Sequence, residues 1–354
     1  MIVLNDIHLG TKRQAGTTPL SQSSLGAFIR STFRDLVLAD NKDDHLVING
    51  DLFDGFMVEP SEVIEAANVI MEYLERDNMV TLGAGNHDWS PKAGKVSSFH
   101  LLAYILRSRF PGRVNVIDAS CGLTLVDKMF EAWMIPHMPN QDLFDLEIEK
   151  AAAAKVSKGY LFLHCNVMSP FAEHSDHSLN LSEEQVEALV EAGWTIVVAH
   201  EHQARYVHGK RVIVTGNQIP SSVADCRNNP ANKKQRMRIT REGWVMEDVL
   251  DLDLIYAEID WAEIDQTDLD GKLFIRVGGN CTAEQSADMV NAIAKLRQHH
   301  DAYVISNAVK VDGIAQMEGL ADLTMENINK FDVLAALLEE LDEREQKVVK
   351  ELLA

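Results

Sequence analysis

Cysteine is scarce in this sequence, which limits the kinds of site and compartment that the chain fits. The four cysteines, Cys121, Cys165, Cys226 and Cys281, are scattered and include no CxxC pair. This spacing argues against a zinc knuckle and against a disulfide framework. We therefore expect reduced thiols, as in a cytoplasmic protein.

Long apolar runs are also missing. No stretch approaches the roughly 18 residues that a membrane-spanning helix needs, and the opening MIVLNDIHLG lacks the basic flank and cleavage site of a secretory signal. A cytoplasmic location without membrane attachment is the expectation. The 20 glycines and 9 prolines among 354 residues are typical of an ordinary globular protein. A chain of this length should divide into two domains, with or without an appendage.

Positive charge is in deficit, since 33 lysines and arginines face 54 acidic residues for a net charge of -21. A nucleic-acid-binding protein usually has a basic surface. Whether this chain can bind nucleic acid therefore depends on whether its basic residues are grouped together. One run, 227–241, holds six basic residues and no acid. It could follow a phosphate backbone, or it could be a solvated loop and hairpin. The residues that we assign to substrate binding are Arg227, Lys233, Lys234 and Arg236 from this run, together with Lys12 and Arg13 near the start of the chain.

Hydrophobic periodicity predicts an α/β fold in the first two thirds of the chain, where short β-branched runs alternate with amphipathic segments. The predicted strands are Met1–Asn5, His45–Asn49, Met79–Gly83, Phe130–Pro136, Gly159–His164, Thr195–His200 and Arg211–Gly216. The predicted helices are Gln22–Ala39, Ser61–Arg76, Val96–Arg109 and Ser182–Ala192, the last opening with a capping box.

The pattern changes near residue 250, where an acidic segment begins. Beyond it, Lys272–Val277, Thr282–His299 and Ala302–Val311 read as strand, helix and strand, a small α+β unit. From Met325 on, apolar residues recur at helical spacing and predict an amphipathic C-terminal helix. The expected domains are therefore 1–250, 251–320 and 321–354.

Chemically informative residues follow the predicted strands of the first domain. Five blocks carry Asp, His or Asn where a strand ends, namely Asp6-Ile7-His8, Gly50-Asp51-Leu52-Phe53-Asp54, Gly85-Asn86-His87-Asp88, His164 and His200-Glu201-His202. In open α/β sheets the carboxyl ends of the strands form one rim. We therefore expect these side chains to converge in one crevice.

The residue types in these blocks suit a pair of divalent cations. Two such ions ~3.5–4 Å apart can clamp a phosphate ester and activate a water molecule. A mixture of imidazole, carboxylate and amide ligands favours Mn, Fe or Zn over Mg or Ca. Each block alone has a plainer interpretation as a surface turn, but five in this order at strand ends favour the metal. His174 and His177 also look like ligands, although we favour a solvated loop as their explanation.

In these blocks the sequence resembles the calcineurin-like metallophosphoesterases over roughly residues 1–220. Two departures are Asn5 for the usual Ser and Ala199 for the usual Gly. The resemblance implies a two-sheet αββα sandwich. It also implies one metal bound by Asp6, His8, Asp51 and His202, and a second metal bound by Asp51, Asn86, His164 and His200.

The same resemblance implies roles for two further residues. His87 would face the scissile phosphate without binding metal, and would stabilise the transition state or protonate the leaving oxygen. Asp88 would orient His87. Because His87 is present, a catalytically dead version of the fold is disfavoured.

Within that superfamily, the opening motifs and the Gly216–Ser222 segment look most like SbcD-type DNA repair nucleases. That likeness implies Mn-dependent exonuclease activity, with single-strand endonuclease activity, in DNA repair, recombination or replication. It also implies a small capping domain that helps select DNA and a C-terminal region that contacts an SMC-like ATPase of the SbcC type. The tail helix could instead form a homodimer or pack on the small domain. The alternatives are a small-molecule or phosphoprotein phosphoesterase and a non-catalytic interaction subunit.

Overall fold

The structure is a computed structural model that describes residues 1–11, 19–39, 44–89, 95–169, 179–227, 232–300, 302 and 304–312. These residues fall into two compact units. The first consists of Met1–Gly279 and Met289–Val309, and the second of Asn280–Asp288 with the described residues from Lys310 to Asp312. The predicted helix over 321–354 lies outside the described residues, as do Lys12, Arg13, His174 and His177.

Two mixed six-stranded sheets form the centre of the first unit. The first sheet has the spatial order β14-β13-β1-β2-β3-β4, with strands β1 (Ile2–Leu4), β2 (His45–Asn49), β3 (Met79–Gly83), β4 (Val114–Ile117), β13 (Lys233–Ile239) and β14 (Trp244–Asp251). The second has the order β11-β12-β10-β7-β6-β5, with strands β5 (Thr124–Asp127), β6 (Ala132–Ile135), β7 (Gly159–His164), β10 (Trp194–Ala199), β11 (Arg205–Val207) and β12 (Val212–Val214). All seven predicted strands are present, with ends within two residues.

The two sheets pack face to face through one set of side chains from each strand. Val3, Val47, Phe162 and Val197 belong to one buried cluster between the sheets, while their neighbours on each strand point to the opposite face. Successive side chains on a strand point to opposite faces. Since both faces of these strands are covered, their sequences are mostly apolar throughout and do not alternate between apolar and polar residues.

Helices cover the outer face of each sheet. The helices of the first unit are α1 (Pro19–Leu38), α2 (Pro60–Leu74), α3 (Ser98–Arg109), α4 (Gln141–Ala154), α5 (Glu183–Glu191), α6 (Val223–Cys226) and α7 (Leu252–Ile255), and α8 (Ser286–His299) crosses between the units. Residues of α1, α2 and α3 share a core with the first sheet, and residues of α4 and α5 share one with the second. The predicted αββα layering follows. The predicted capping box of α5 is present, with Ser182 and Gln185 as its two members.

The remaining strands are short. β15 (Tyr256–Asp260), β16 (Phe274–Gly278) and β18 (Val304–Asn307) form a parallel three-stranded sheet, and β8 (Asn166–Val167) pairs with β9 (Asn180–Leu181). In the second unit, β17 (Asn280–Thr282) pairs with β19 (Lys310–Asp312). Phe274 of β16 is fully buried and belongs to the core that contains α1. A separate capping domain over 251–320 stays a prediction.

Candidate metal centre

The five sequence blocks meet at one edge of the two sheets. Asp6, Asp51 and Asn86 follow β1, β2 and β3, which are adjacent and parallel. His164 ends β7, and His200 follows its parallel neighbour β10. The loops are joined directly, because Asp6 N donates to Gly50 O at 3.1 Å and His8 N donates to Asp51 O at 3.1 Å. The convergence expected from the sequence is therefore present.

Four residues of this edge have a backbone conformation that L-amino acids rarely adopt. The φ angles of Asp6, His8, Asp51 and His200 are 50°, 54°, 51° and 88°. Non-glycine residues with positive φ cost about 1–3 kcal/mol each and cluster at functional sites. The backbone is therefore locally strained at the four residues whose side chains point into this edge of the sheets.

One group of ligand atoms comes from Asp6, His8 and His202, which lie within 4.8 Å of one another. His202 Nδ1 donates to Asp225 Oδ1 at 2.8 Å, so the neutral ring has its lone pair on Nε2. His8 Nδ1 lies 3.2 Å from Asp54 Oδ1, and its Nε2 lies 3.1 Å from His202 Nε2. The two Nε2 atoms therefore face each other, and the ring that carries a proton there donates to the other.

The oxygen Oδ1 of Asp6 lies in the same group. It is buried and has no hydrogen-bond partner among the described residues. A buried carboxylate oxygen without a partner is costly. A cation between Asp6, His8 and His202 would satisfy all three side chains.

A second group comes from Asp51, His164 and His200, with Asn86 at its centre. Asn86 Oδ1 lies 3.0 Å from both His164 Nε2 and His200 Nδ1. His164 Nδ1 donates to the Asn49 carbonyl at 3.1 Å, so in the neutral ring Nε2 carries the lone pair, 3.4 Å from Asp51 Oδ2. Once His164 loses its proton, nitrogen and oxygen ligands converge here too, which is the arrangement that a divalent cation fits.

The charges of this second group are strongly coupled. Burial lowers the pKa of His164, but the Asp51 carboxylate outweighs it and raises that pKa to about 9. Burial raises the pKa of Asp51, yet His164 holds it below its ordinary value. Burial and the charge of His164 together lower the pKa of His200 to about 4. In the metal-free protein, a proton on His164 Nε2 therefore lies between that nitrogen and the oxygens of Asn86 and Asp51.

His87 lies beside these groups on the exposed side, with a third of its side chain accessible. Its Nδ1 donates to the Asp54 carbonyl at 2.8 Å, and its Nε2 is 3.9 Å from Asp51 Oδ2. The Asp54 carbonyl thus fixes the ring, and Nε2 is the atom that can meet a substrate oxygen.

The structure corrects the prediction that Asp88 orients His87. Asp88 is buried and accepts hydrogen bonds from Gly85 N at 3.0 Å and Phe53 N at 3.3 Å. Burial and the neighbouring charge of Asp51 raise the pKa of Asp88 to about 7. Asp88 therefore supports the loop that carries Asn86 and His87 from beneath.

Sequence reasoning missed two carboxylates that hold imidazoles in place. Asp54 is the last residue of the Gly50–Asp54 block and contacts His8. Asp225 lies outside all five blocks. Asp225 is the third residue of α6 and forms a capping box with Ser222, and its other oxygen accepts from the backbone N of Ser221 and Ser222. Carboxylates commonly orient metal-binding histidines. Only the position of Asp54 within its block could have indicated such a role.

The predicted DNA-contact residues that the structure describes face carboxylates or lie buried. Lys233 pairs with Asp248 at 2.9 Å, and Arg236 pairs with Glu247 at 2.9 Å. Lys234 is buried and donates to Asn217 Oδ1 at 2.6 Å. Arg227 lies 3.9 Å from Glu258. The basic run is thus mostly the strand β13, paired with an acidic partner strand.

Some histidines without a predicted role have structural partners. His45 lies 3.0 Å from Asp127 and 2.8 Å from Thr81 Oγ1, far from the candidate site in the sheet. His137 is buried beside the site, with its ring 6.3 Å from that of His164. Burial and the charge of His164 lower the pKa of His137 to about 3, so this ring is neutral.

Comparison with known proteins identifies the class. Residues 1–216 match the family model described as calcineurin-like phosphoesterase. The chain therefore belongs to the calcineurin-like phosphoesterase family, and it is a metal-dependent phosphoesterase of that superfamily. Its His and Asp clusters are those of the divalent-metal site typical of the superfamily.

Solved structures and curated proteins add the following findings. The cold-active protein-tyrosine phosphatase of a psychrophile Shewanella sp. is 12% identical, with a TM-score of 0.34, over 70% of this chain and 77% of that chain. Another structure of a cold-active protein tyrosine phosphatase is 13% identical, with a TM-score of 0.31, over 71% of this chain and 79% of that chain. No curated protein matches the sequence. Among the described helices, none is both long and apolar enough to span a bilayer.

Proposed function

We propose that two divalent cations bind at this edge of the sheets. Asp6, His8, Asp51 and His202 would hold one cation, and Asp51, Asn86, His164 and His200 the other. The observation that carries the assignment is the convergence of acceptors, with the two facing imidazole nitrogens at 3.1 Å and the buried Asp6 oxygen that lacks a partner among the described residues. The mixed nitrogen and oxygen ligands favour Mn, with Fe or Zn as alternatives.

When bound, the cations would neutralise charge on the phosphoryl oxygens and lower the pKa of an attacking water. The protein's own side chains orient the metal ligands and the substrate. Asp225 and Asp54 fix the rings of His202 and His8. His87, held through Nδ1 by the Asp54 carbonyl, presents Nε2 to the substrate, where its protonated form can donate to a phosphoryl or leaving oxygen.

We further propose that the substrate is a phosphodiester of DNA, cleaved from double-stranded ends with some activity on single strands. The support is the likeness of the first two motifs and of the Gly216–Ser222 segment to SbcD-type nucleases. On this proposal the region beyond residue 250 helps to select DNA, and the tail from Met325 contacts an SMC-like ATPase or a second copy of the chain. Truncation at Met325 followed by size-exclusion chromatography, with and without the ATPase, tests the role of the tail.

The nuclease proposal is tested with end-labelled linear duplex DNA and Mn. We expect metal-dependent degradation that Asp51→Ala abolishes. An intact duplex, alongside hydrolysis of a small aryl phosphodiester by the same preparation, would remove the DNA assignment and leave the metal centre.

A second candidate, a small-molecule or phosphoprotein phosphoesterase, has two specific observations in its favour. Lys233 and Arg236 are neutralised by Asp248 and Glu247, and the chain carries a net charge of -21. A screen of mononucleotides and phosphopeptides separates it from the nuclease. A non-catalytic interaction subunit is the remaining alternative, and it would show no turnover on any of these substrates.

A further inference from the structure

Asn5 sits at the centre of a buried polar network directly behind Asp6. Its Nδ2 donates to Asp6 Oδ2 at 2.6 Å and to the Gly216 carbonyl at 2.8 Å. Its Oδ1 accepts from Thr215 Oγ1 at 2.7 Å and from Gln218 Nε2 at 3.3 Å. Both donors and both acceptor positions of the amide are therefore used.

The network fixes which oxygen of Asp6 faces the candidate metal position. Asp6 Oδ2 accepts from Asn5 Nδ2 and also from His200 N at 3.0 Å. Oδ1 has no partner among the described residues. With Oδ2 held by two donors, the carboxylate cannot rotate without breaking charge-assisted hydrogen bonds, which are stronger than neutral ones.

The same network joins two separate stretches of the chain. Asn5 N donates to Gln218 Oε1 at 2.8 Å, so Asn5, directly after β1, makes three hydrogen bonds with the Gly216–Gln218 segment. That segment is bonded in turn to the loop of His202, because Asn217 N donates to the His202 carbonyl at 3.3 Å. Asn5, Thr215 and Gln218 are each no more than 2% exposed, so water cannot replace these bonds.

We propose that Asn5 is a positioning residue that orients the Asp6 carboxylate, and through it sets the affinity of the metal position formed with His8 and His202. The inference rests on the proposed metal assignment and deepens it. It concerns one of the two positions, since Asn5 contacts Asp6 and neither Asn86 nor His164 among its hydrogen bonds.

The test compares Asn5→Ala with Asn5→Ser. Both variants leave a cavity of similar size, but only serine keeps a hydroxyl donor beside Asp6. Titration calorimetry of the metal-free proteins with Mn measures each binding step. For Asn5→Ala we expect one of the two steps to weaken by roughly 10–100-fold, the usual effect of removing a group that orients a ligand, while the other step changes little. Asn5→Ser should bind several-fold more tightly than Asn5→Ala.

Asn78→Ala is the matched control. Asn78 is also fully buried and uses both ends of its amide, donating to the Tyr73 carbonyl at 3.1 Å and accepting from Asp44 N at 2.8 Å, at the opposite end of β3. It should lower the thermal unfolding temperature while leaving both Mn steps unchanged. Electron paramagnetic resonance gives a second measurement, at a Mn concentration that fills both positions of the wild type but lies below the dissociation constant of the weakened position in Asn5→Ala. Wild type should show a coupled pair, and Asn5→Ala should show mostly single ions.

The results separate this inference from the function on which it rests. If wild type binds no Mn, the metal assignment itself fails. If wild type binds two ions and Asn5→Ala binds them equally well, the role of Asn5 is refuted. It is refuted as well if Asn5→Ser equals Asn5→Ala, or if Asn78→Ala weakens Mn binding to the same extent.

Discussion

A cation that binds beside His164 should displace a proton. In the metal-free protein, burial lowers the pKa of His164 but the Asp51 carboxylate, 3.4 Å from Nε2, raises it to about 9. Metal binding needs the unprotonated ring. Each pH unit below 9 therefore costs ~1.4 kcal/mol, so the Mn affinity of this position should fall about tenfold per unit, or ~100-fold between pH 9 and pH 7.

The sign of the effect on folding is the opposite. Because the pKa of His164 is raised in the folded protein, the protonated ring stabilises the metal-free fold, fully so below the ordinary histidine pKa of about 6.5. That contribution is lost as the pH rises through about 9. Metal-free protein should therefore unfold at a lower temperature at pH 9.5 than at pH 7, whereas protein saturated with Mn should respond less.

Calorimetric titration with Mn at pH 7, in two buffers of different ionisation enthalpy, counts the protons released. We expect about one proton for the ion at His164. His200 should add none, because its pKa of about 4 leaves it neutral at pH 7. The reasoning is refuted if the apparent enthalpy is the same in both buffers, or if the Mn affinity does not change between pH 7 and pH 9.

Four substitutions test other parts of the account. Asp51→Ala should abolish metal-dependent hydrolysis, because it removes the carboxylate shared by the two proposed positions; full activity would contradict the assignment. His87→Ala should lower turnover by about 10²–10⁴-fold with an unchanged circular dichroism spectrum and Mn affinity, and undiminished turnover would exclude its role. Gly85→Ala should weaken Mn binding by about tenfold or more, because a Cβ there would overlap the Asp51 carboxylate; unchanged calorimetry would show that the loop adapts. Trp194→Phe should destabilise the fold by about 1–3 kcal/mol in urea unfolding, since it removes the buried bond from Nε1 to the Ala151 carbonyl at 2.8 Å.

Much of the fold was predictable because its strands are buried on both faces. Segments such as Ile2–Leu4, and Trp194–Ala199 apart from Thr195, are apolar runs whose lengths match strands. Helix ends were less predictable. The predicted start at Val96 falls two residues before the observed start of α3, because the Ser97 side chain accepts from His100 N and caps the helix there.

The gathering of site residues was predictable from their places at strand ends, whereas their supporting contacts were not. Asp225 lies 23 positions from His202 and belongs to α6, so no periodicity connects the two. Asp88 was assigned to His87 from the family resemblance, yet its oxygens bond to Gly85 N and Phe53 N. Such pairings depend on how loops cross, which a one-dimensional pattern does not encode.

The charge of the 227–241 run shows a similar limit. The run reads as a basic patch in the sequence, but β13 pairs with β14, whose Glu247 and Asp248 face Arg236 and Lys233. The pairing register of β13 with β14 places Lys233 and Arg236 against carboxylates. The sequence alone does not contain that register.

The most direct test of the metal centre is anomalous diffraction from crystals of the protein soaked in Mn. The account predicts two peaks ~3.5–4 Å apart among Asp6, His8, Asp51, Asn86, His164, His200 and His202, with Asp51 between them. Peaks elsewhere, or none at this edge of the sheets, would contradict it.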